Sequence, residues 1–140
     1  MKTLKSILLG LALLVTANFV KADDIAKLTK DYAVNTYIEA IAHGKLDGFA
    51  QVLDNSAKFS MMRGNKTLNF SKNEILESLK STKNTEQECK VSTSTVESNG
   101  EVAIVKVDLV YDGFTRSNLV TINNTGNGWK ITSVHSTFKS

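Results

Sequence analysis

Val102-Ala103-Ile104-Val105-Lys106-Val107-Asp108-Leu109-Val110-Tyr111-Asp112-Gly113 is the most regular stretch of this chain. It reads as a long strand running into a tight turn. Ala103, Val105, Val107, Leu109 and Tyr111 share one face at period two, the signature of a half-buried strand. The other face, Val102, Ile104, Lys106, Asp108 and Val110, is mixed. Asp112-Gly113 signals a hairpin, because both central positions of such a turn need positive φ. On the N-terminal side, Glu88 to Val96 reads as a strand reaching this one through the turn Ser98-Asn99-Gly100. On the C-terminal side, Arg116 to Asn123 follows the turn, and Trp129 to Phe138 closes the chain after the loop Asn124-Thr125-Gly126-Asn127-Gly128. Consecutive strands joined by tight turns pair antiparallel, so the C-terminal half is predicted to be a four-stranded meander.

The half before it is mainly helical. Asp23 and Asp24 suit a helix start, with acidic groups at the positive end of the dipole. Ile25, Leu28, Tyr32, Val34, Tyr37, Ile38 and Ile41 then recur at helical spacing, and Gly44 after His43 is a natural left-handed stop. A short helix is expected from about Leu46 to Leu53. Ala57 to Arg63 and Lys66 to Phe70 read as a hairpin around Gly64-Asn65. Ser71-Lys72-Asn73-Glu74 is a capping box that opens a third helix carrying Ile75, Leu76 and Leu79.

The N-terminus has the layout of a secretory leader. Lys2 and Lys5 open it, an apolar run from Ile7 to Val20 follows, and Val20-Lys21-Ala22 offers light residues at a cut before Asp23. The run is shorter than the roughly twenty residues that a bilayer-spanning helix needs. The expectation is therefore a signal peptide at 1–22, cleavage between Ala22 and Asp23, and one exported domain at 23–140, periplasmic or secreted. The 17 basic and 14 acidic residues give the whole chain a charge of +3. Lys2, Lys5 and Lys21 lie in the leader, so the exported domain is formally neutral. A neutral domain without a basic block is a poor binder of nucleic acid or of anionic membranes, and neither is expected as a partner. Cys89 is the only cysteine, so no internal disulfide can form. Two distant histidines and no acidic cluster of calcium-loop spacing leave no metal site in view, and no glycine-rich phosphate loop or other cofactor motif is present. Asn65-Lys66-Thr67, Asn69-Phe70-Ser71 and Asn123-Asn124-Thr125 are formal glycosylation sequons, relevant only to a eukaryotic source.

The order helix, short helix, hairpin, helix and four long strands resembles the nuclear transport factor 2-like superfamily. The residues that carry the likeness are Tyr37-Ile38-Glu39-Ala40-Ile41-Ala42-His43-Gly44-Lys45-Leu46-Asp47-Gly48-Phe49, together with the closing Gly128-Trp129-Lys130-Ile131. They look like that superfamily's helix aromatic, its "Gly, any, Leu or Phe, Asp, Gly or Ala" turn, and its last strand. Within it, the small exported size is similar to the putative lumazine-binding and polyketide-cyclase-like groups. The resemblance implies an α+β fold: a cone-shaped, strongly curved antiparallel sheet of about six strands wrapped around three N-terminal helices. It also implies a cavity between sheet and helices, used in that superfamily either for small apolar ligands or for proton-shuffling enzymes.

The candidate residues weigh toward binding. Tyr37 matches the tyrosine that steroid isomerases of the superfamily use to stabilise an oxyanion. The position of their aspartate base is held here by Met61, whose thioether cannot take a proton at neutral pH. Tyr37, Phe59, Met61, Arg63, Tyr111, Trp129 and His135 are expected to line the ligand site, with Arg63 able to clamp a carboxylate at the mouth. The enzyme alternative, an isomerase or dehydratase, would use His135 with Asp108 or Tyr37, provided that Trp129, Ile131, Ser133 and His135 share a face. A third alternative is an interaction module that dimerises through Val102, Ile104 and Val110 on the outer sheet face. The leading expectation is an exported domain that holds a small apolar molecule, without cofactor and without catalysis.

Overall fold

Thr29 caps the long helix that precedes the sheet. Its hydroxyl accepts the Tyr32 N–H at 3.1 Å, and α1 then runs over Lys30–His43. The computed structural model describes residues 25–140. The leader, the cut at Ala22–Asp23 and the helix start expected at Asp23-Asp24 lie outside the described residues. Within them, α1 begins later than its apolar pattern suggests, because the preceding segment has another partner. The Trp129 N–H donates to the Leu28 carbonyl at 2.9 Å, which ties that segment to the far end of the chain as a turn.

Gly44 ends α1 at φ 67°, and its N–H donates to the Glu39 carbonyl. A Cβ at this position would lie 2.6–2.7 Å from the backbone of Thr82, Asn84 and Thr85. Glycine is thus required both for its φ and for the loop that packs on it. A short α2, Phe49–Val52, feeds directly into β1, Leu53–Arg63, and a turn leads to β2, Lys66–Ser71. The capping box at Ser71 and Glu74 forms as its sequence requires, and opens α3, Lys72–Lys80. Then come β3, Lys90–Ser98; β4, Val102–Val110; β5, Thr115–Thr125; and β6, Gly128–Lys139.

The six strands form one sheet in the order β2-β1-β6-β5-β4-β3. β3 to β6 are the antiparallel meander. β1 pairs antiparallel with β2 and parallel with β6. The cone-shaped, strongly curved antiparallel sheet around three N-terminal helices is therefore corrected. The sheet is mixed and open rather than strongly curved, with β2 and β3 at its edges. The third helix is not N-terminal but enters after β2, and it packs on β1 and β2. The parallel pairing follows from the connection: the chain leaves β1 and β2 by α3 and the whole meander, and returns on the other side of β1. On the covered side, α1 buries Ala33, Thr36, Tyr37, Ala40 and Ala42, and it packs on β4, β5 and β6.

Two irregularities set which side chains meet. Between Ile131 and Ser133 the β5–β6 register shifts, and Thr132 is the extra residue of a β-bulge. Ile131, Val134 and Ser136 consequently share the buried face, since they pair with Ile122, Val120 and Asn118. β1 shifts similarly between Leu53 and Lys58, where Asp54 accepts the Ser56 N–H at 3.0 Å. Ser56 lowers the Asp54 carboxyl below its ordinary pKa, with a smaller contribution from Lys72 and Lys130.

Candidate functional site

The buried face of the sheet is apolar except in one place. Asn118 and Ser136 sit opposite one another on β5 and β6, both buried, with Val107 beside Asn118 on β4. Asn118 is held at both ends of its amide. Its Nδ2 donates to the Val107 carbonyl at 3.0 Å. Its Oδ1 accepts from Ser136 Oγ at 2.5 Å and from Arg116 Nε at 3.0 Å. Arg116 lies two residues before Asn118 on the same face, opposite Phe138, and is half-buried. Among the described residues no ion pair includes Arg116. A half-buried guanidinium steered by a neutral amide and left without a carboxylate is an unusual expense for a core.

Tyr37 comes from the helix side. Its ring packs near Phe49, with centroids 6.2 Å apart. It is 1 % exposed, yet among the described residues its hydroxyl has no hydrogen-bond partner. Burial pushes its pKa up to about 12, against a smaller opposing pull from Arg116. The hydroxyl is therefore a neutral donor at any physiological pH. Tyr111 lies further along the same end of the sheet. Its hydroxyl donates to Gln87 Oε1 at 3.2 Å, and burial raises its pKa, as it does that of the neighbouring Cys89 thiol. Tyr111 stacks on Phe114 at 4.6 Å, and Phe114 meets Phe138 at 6.4 Å. Phe114 and Phe138 remain 41 % and 42 % exposed, so an aromatic rim opens to solvent beside Arg116.

The residues singled out from the sequence distribute unevenly. Tyr37, Phe59, Met61 and Tyr111 are on the helix-covered side: Phe59 pairs with Val134, and Met61 with Ser136. Arg63 is exposed at the hairpin end of β1. Trp129 is at the opposite end of the sheet, with Lys30 Nζ 5.0 Å above its ring. His135 pairs with the exposed Leu119 on the outer face, where its Nδ1 lies 2.6 Å from Ser60 Oγ. The Thr132 bulge puts it there, because it breaks the alternation that would have joined His135 to Trp129 and Ile131. Asp108 is also on the outer face, 3.4 Å from Lys106, and makes no contact with His135. Sequence reasoning missed Arg116, Asn118 and Ser136. A signal was available: Arg116 and Asn118 continue at period two into Val120 and Ile122, two polar residues on an apolar face.

A separate open groove of about 500 Å³ lies beside the irregularity in β1, lined in part by Asp54, Asn55, Lys72 and Lys130. Both lysines are held there by backbone acceptors. Lys72 donates to the Leu53 carbonyl and Lys130 to that of Gln51. Among the described residues no three His, Cys, Asp or Glu side chains stand together as a metal site, and no helix is long and apolar enough to cross a membrane.

A single sheet with α1 and α2 on one side, a parallel β1–β6 pairing and a C-terminal meander is the nuclear transport factor 2-like fold. The chain belongs to the putative lumazine-binding family, whose model matches residues 26–138. An NTF-2 like protein of unknown function from Silicibacter pomeroyi is 18 % identical with a TM-score of 0.63, covering 86 % of this chain and 98 % of its own. One from Shewanella baltica, 11 % identical, also has a TM-score of 0.63 and covers 88 % and 99 %. A putative ketosteroid isomerase from Parabacteroides distasonis is 13 % identical with a TM-score of 0.55, covering 76 % and 85 %. At these identities the likeness concerns the fold. No curated protein matches the chain.

Proposed function

We propose that this protein is an exported binding domain that holds a small, largely apolar molecule between α1 and the buried face of the sheet, without turning it over. The observation that carries the reading is the Tyr37 hydroxyl, buried and without a hydrogen-bond partner among the described residues, with the Arg116 charge near enough to oppose the rise of its pKa. Leaving such a donor unpaired costs about 1–3 kcal/mol, which a ligand oxygen would recover. Met61 supports binding over chemistry: it stands on this face beside Ser136, and its sulfur is no base. The putative ketosteroid isomerase shares the fold, and its named activity is not carried over. We further propose that two copies associate through the outer face, where Val110 and Leu119 stay exposed beside Lys106 and Asp108.

A thermal-shift screen of apolar metabolites tests the binding reading. A ligand at a hundred times its dissociation constant should add about 2.7 kcal/mol of stability. A broad panel of apolar acids, ketones and alcohols that leaves the melting temperature unchanged would sink it.

A further inference from the structure

Resting on the binding reading above, the geometry points to a ligand that carries a carboxylate on a flat apolar body, with Arg116 as the residue that reads the charge. Arg116 spends one donor, Nε, on Asn118 Oδ1. That bond fixes the plane of the guanidinium, because Asn118 is itself held by Ser136 and by the Val107 carbonyl. Among the described residues nothing else accepts from the Arg116 side chain, so its two terminal nitrogens stand as a parallel pair of donors, the arrangement that matches the two oxygens of a carboxylate. No carboxylate of the described protein takes that place.

The surroundings define the rest of the molecule. Tyr37 offers one neutral donor in the covered interior, suited to a carbonyl or hydroxyl oxygen. Tyr111, Phe114 and Phe138 form a contiguous aromatic wall at the open end, and two of the three rings are substantially exposed. Aromatic walls of this kind take flat rings by stacking or edge contact. Arg63 shares the face only at the exposed tip of β1, two strands away in the sheet. One guanidinium alone suits a single negative charge better than a phosphate dianion, which is usually met by several cations or by a helix N-terminus.

The test uses the full chain and three naphthalene probes: the neutral dye N-phenylnaphthylamine, and naphthoate and naphthamide, which are nearly equal in shape and differ in charge. The dye reports occupancy by fluorescence, and the other two compete with it. Naphthoate is expected to displace the dye at roughly tenfold lower concentration than naphthamide, the scale of one charge-assisted pair. Arg116→Gln should abolish that preference, bringing the naphthoate and naphthamide curves together, and Arg116→Lys should restore it only in part. Equal displacement by acid and amide in the unaltered protein overturns the assignment of Arg116 and leaves the binding reading standing. Acid preference that survives in Arg116→Gln does the same. Absence of binding by all three probes removes the binding reading and this inference together. The acid–amide comparison in the unaltered protein holds even if the variants fold poorly.

Discussion

Tyr37 is the side chain whose chemistry is most open to experiment, because its hydroxyl is buried with no hydrogen-bond partner among the described residues. Tyr37→Phe removes that group and keeps the ring against Phe49. Urea denaturation at neutral pH should show the variant more stable by about 1 kcal/mol, since an unpaired buried hydroxyl costs at least that much. The same group sets a pH dependence. Its folded pKa, about 12, lies above the ordinary value of 10.0. The folded state therefore holds the proton more tightly than the unfolded one. The linked stability is complete below pH 10 and is lost as the pH rises toward 12, on the order of 2–3 kcal/mol in total. Denaturation curves collected across that window should steepen this loss in the unaltered protein relative to Tyr37→Phe. Parallel curves would show that the hydroxyl is solvated after all. Tyr37 itself was legible as a helix tyrosine. Its partnerless state was not, because no spacing in the sequence says what stands opposite a hydroxyl once the chain has folded.

The helix ends and hairpin turns were the most readable elements. Gly44 stops α1, and Ser71 with Glu74 caps α3, both from local backbone chemistry alone. Ser71→Ala should cost about 1 kcal/mol by thermal or chemical denaturation, the usual worth of a helix cap. The Thr132 bulge is a different matter. Nothing in Trp129-Lys130-Ile131-Thr132-Ser133-Val134 marks an inserted residue; strict alternation would give Trp129, Ile131, Ser133 and His135 a common face. The fold needs both Ile131 and Val134 in the core, three positions apart, and only a bulge provides that. Deleting Thr132 should leave the core in register, because Ile131, Val134 and Ser136 would then alternate on one face of a regular strand. The expected readout is retained near-ultraviolet circular dichroism and cooperative melting. A deletion variant that loses both would mean that the bulge itself is required for the packing around it. With that bulge the position of His135 changes from the ligand side to the outer face, which is why the His135–Asp108 set is not assembled on the covered side.

For the molecule as a whole, the mixed sheet makes the N-terminal hairpin dependent on the last strand. β1 has only β2 as a local neighbour, and its other edge is completed by β6, which follows every other strand of the sheet in the chain. The outer face of that sheet carries Leu119 and Val110 in the open. Sedimentation velocity should find the unaltered protein as a dimer at micromolar concentration and Leu119→Glu as a monomer with an unchanged circular dichroism spectrum. A monomeric parent at every concentration would rule out the association proposed for this face.

Local information was enough for the four-strand meander, the capped helices and the two-residue turns, because each depends on neighbours within a few positions. It also pointed to the family, since the order of elements is written along the chain. The parallel seam between β1 and β6, the open shape of the sheet and the cluster of Arg116, Asn118 and Ser136 arose only on folding. Each of them joins residues from separate elements, and pairing energy between distant strands leaves no periodic trace in either one.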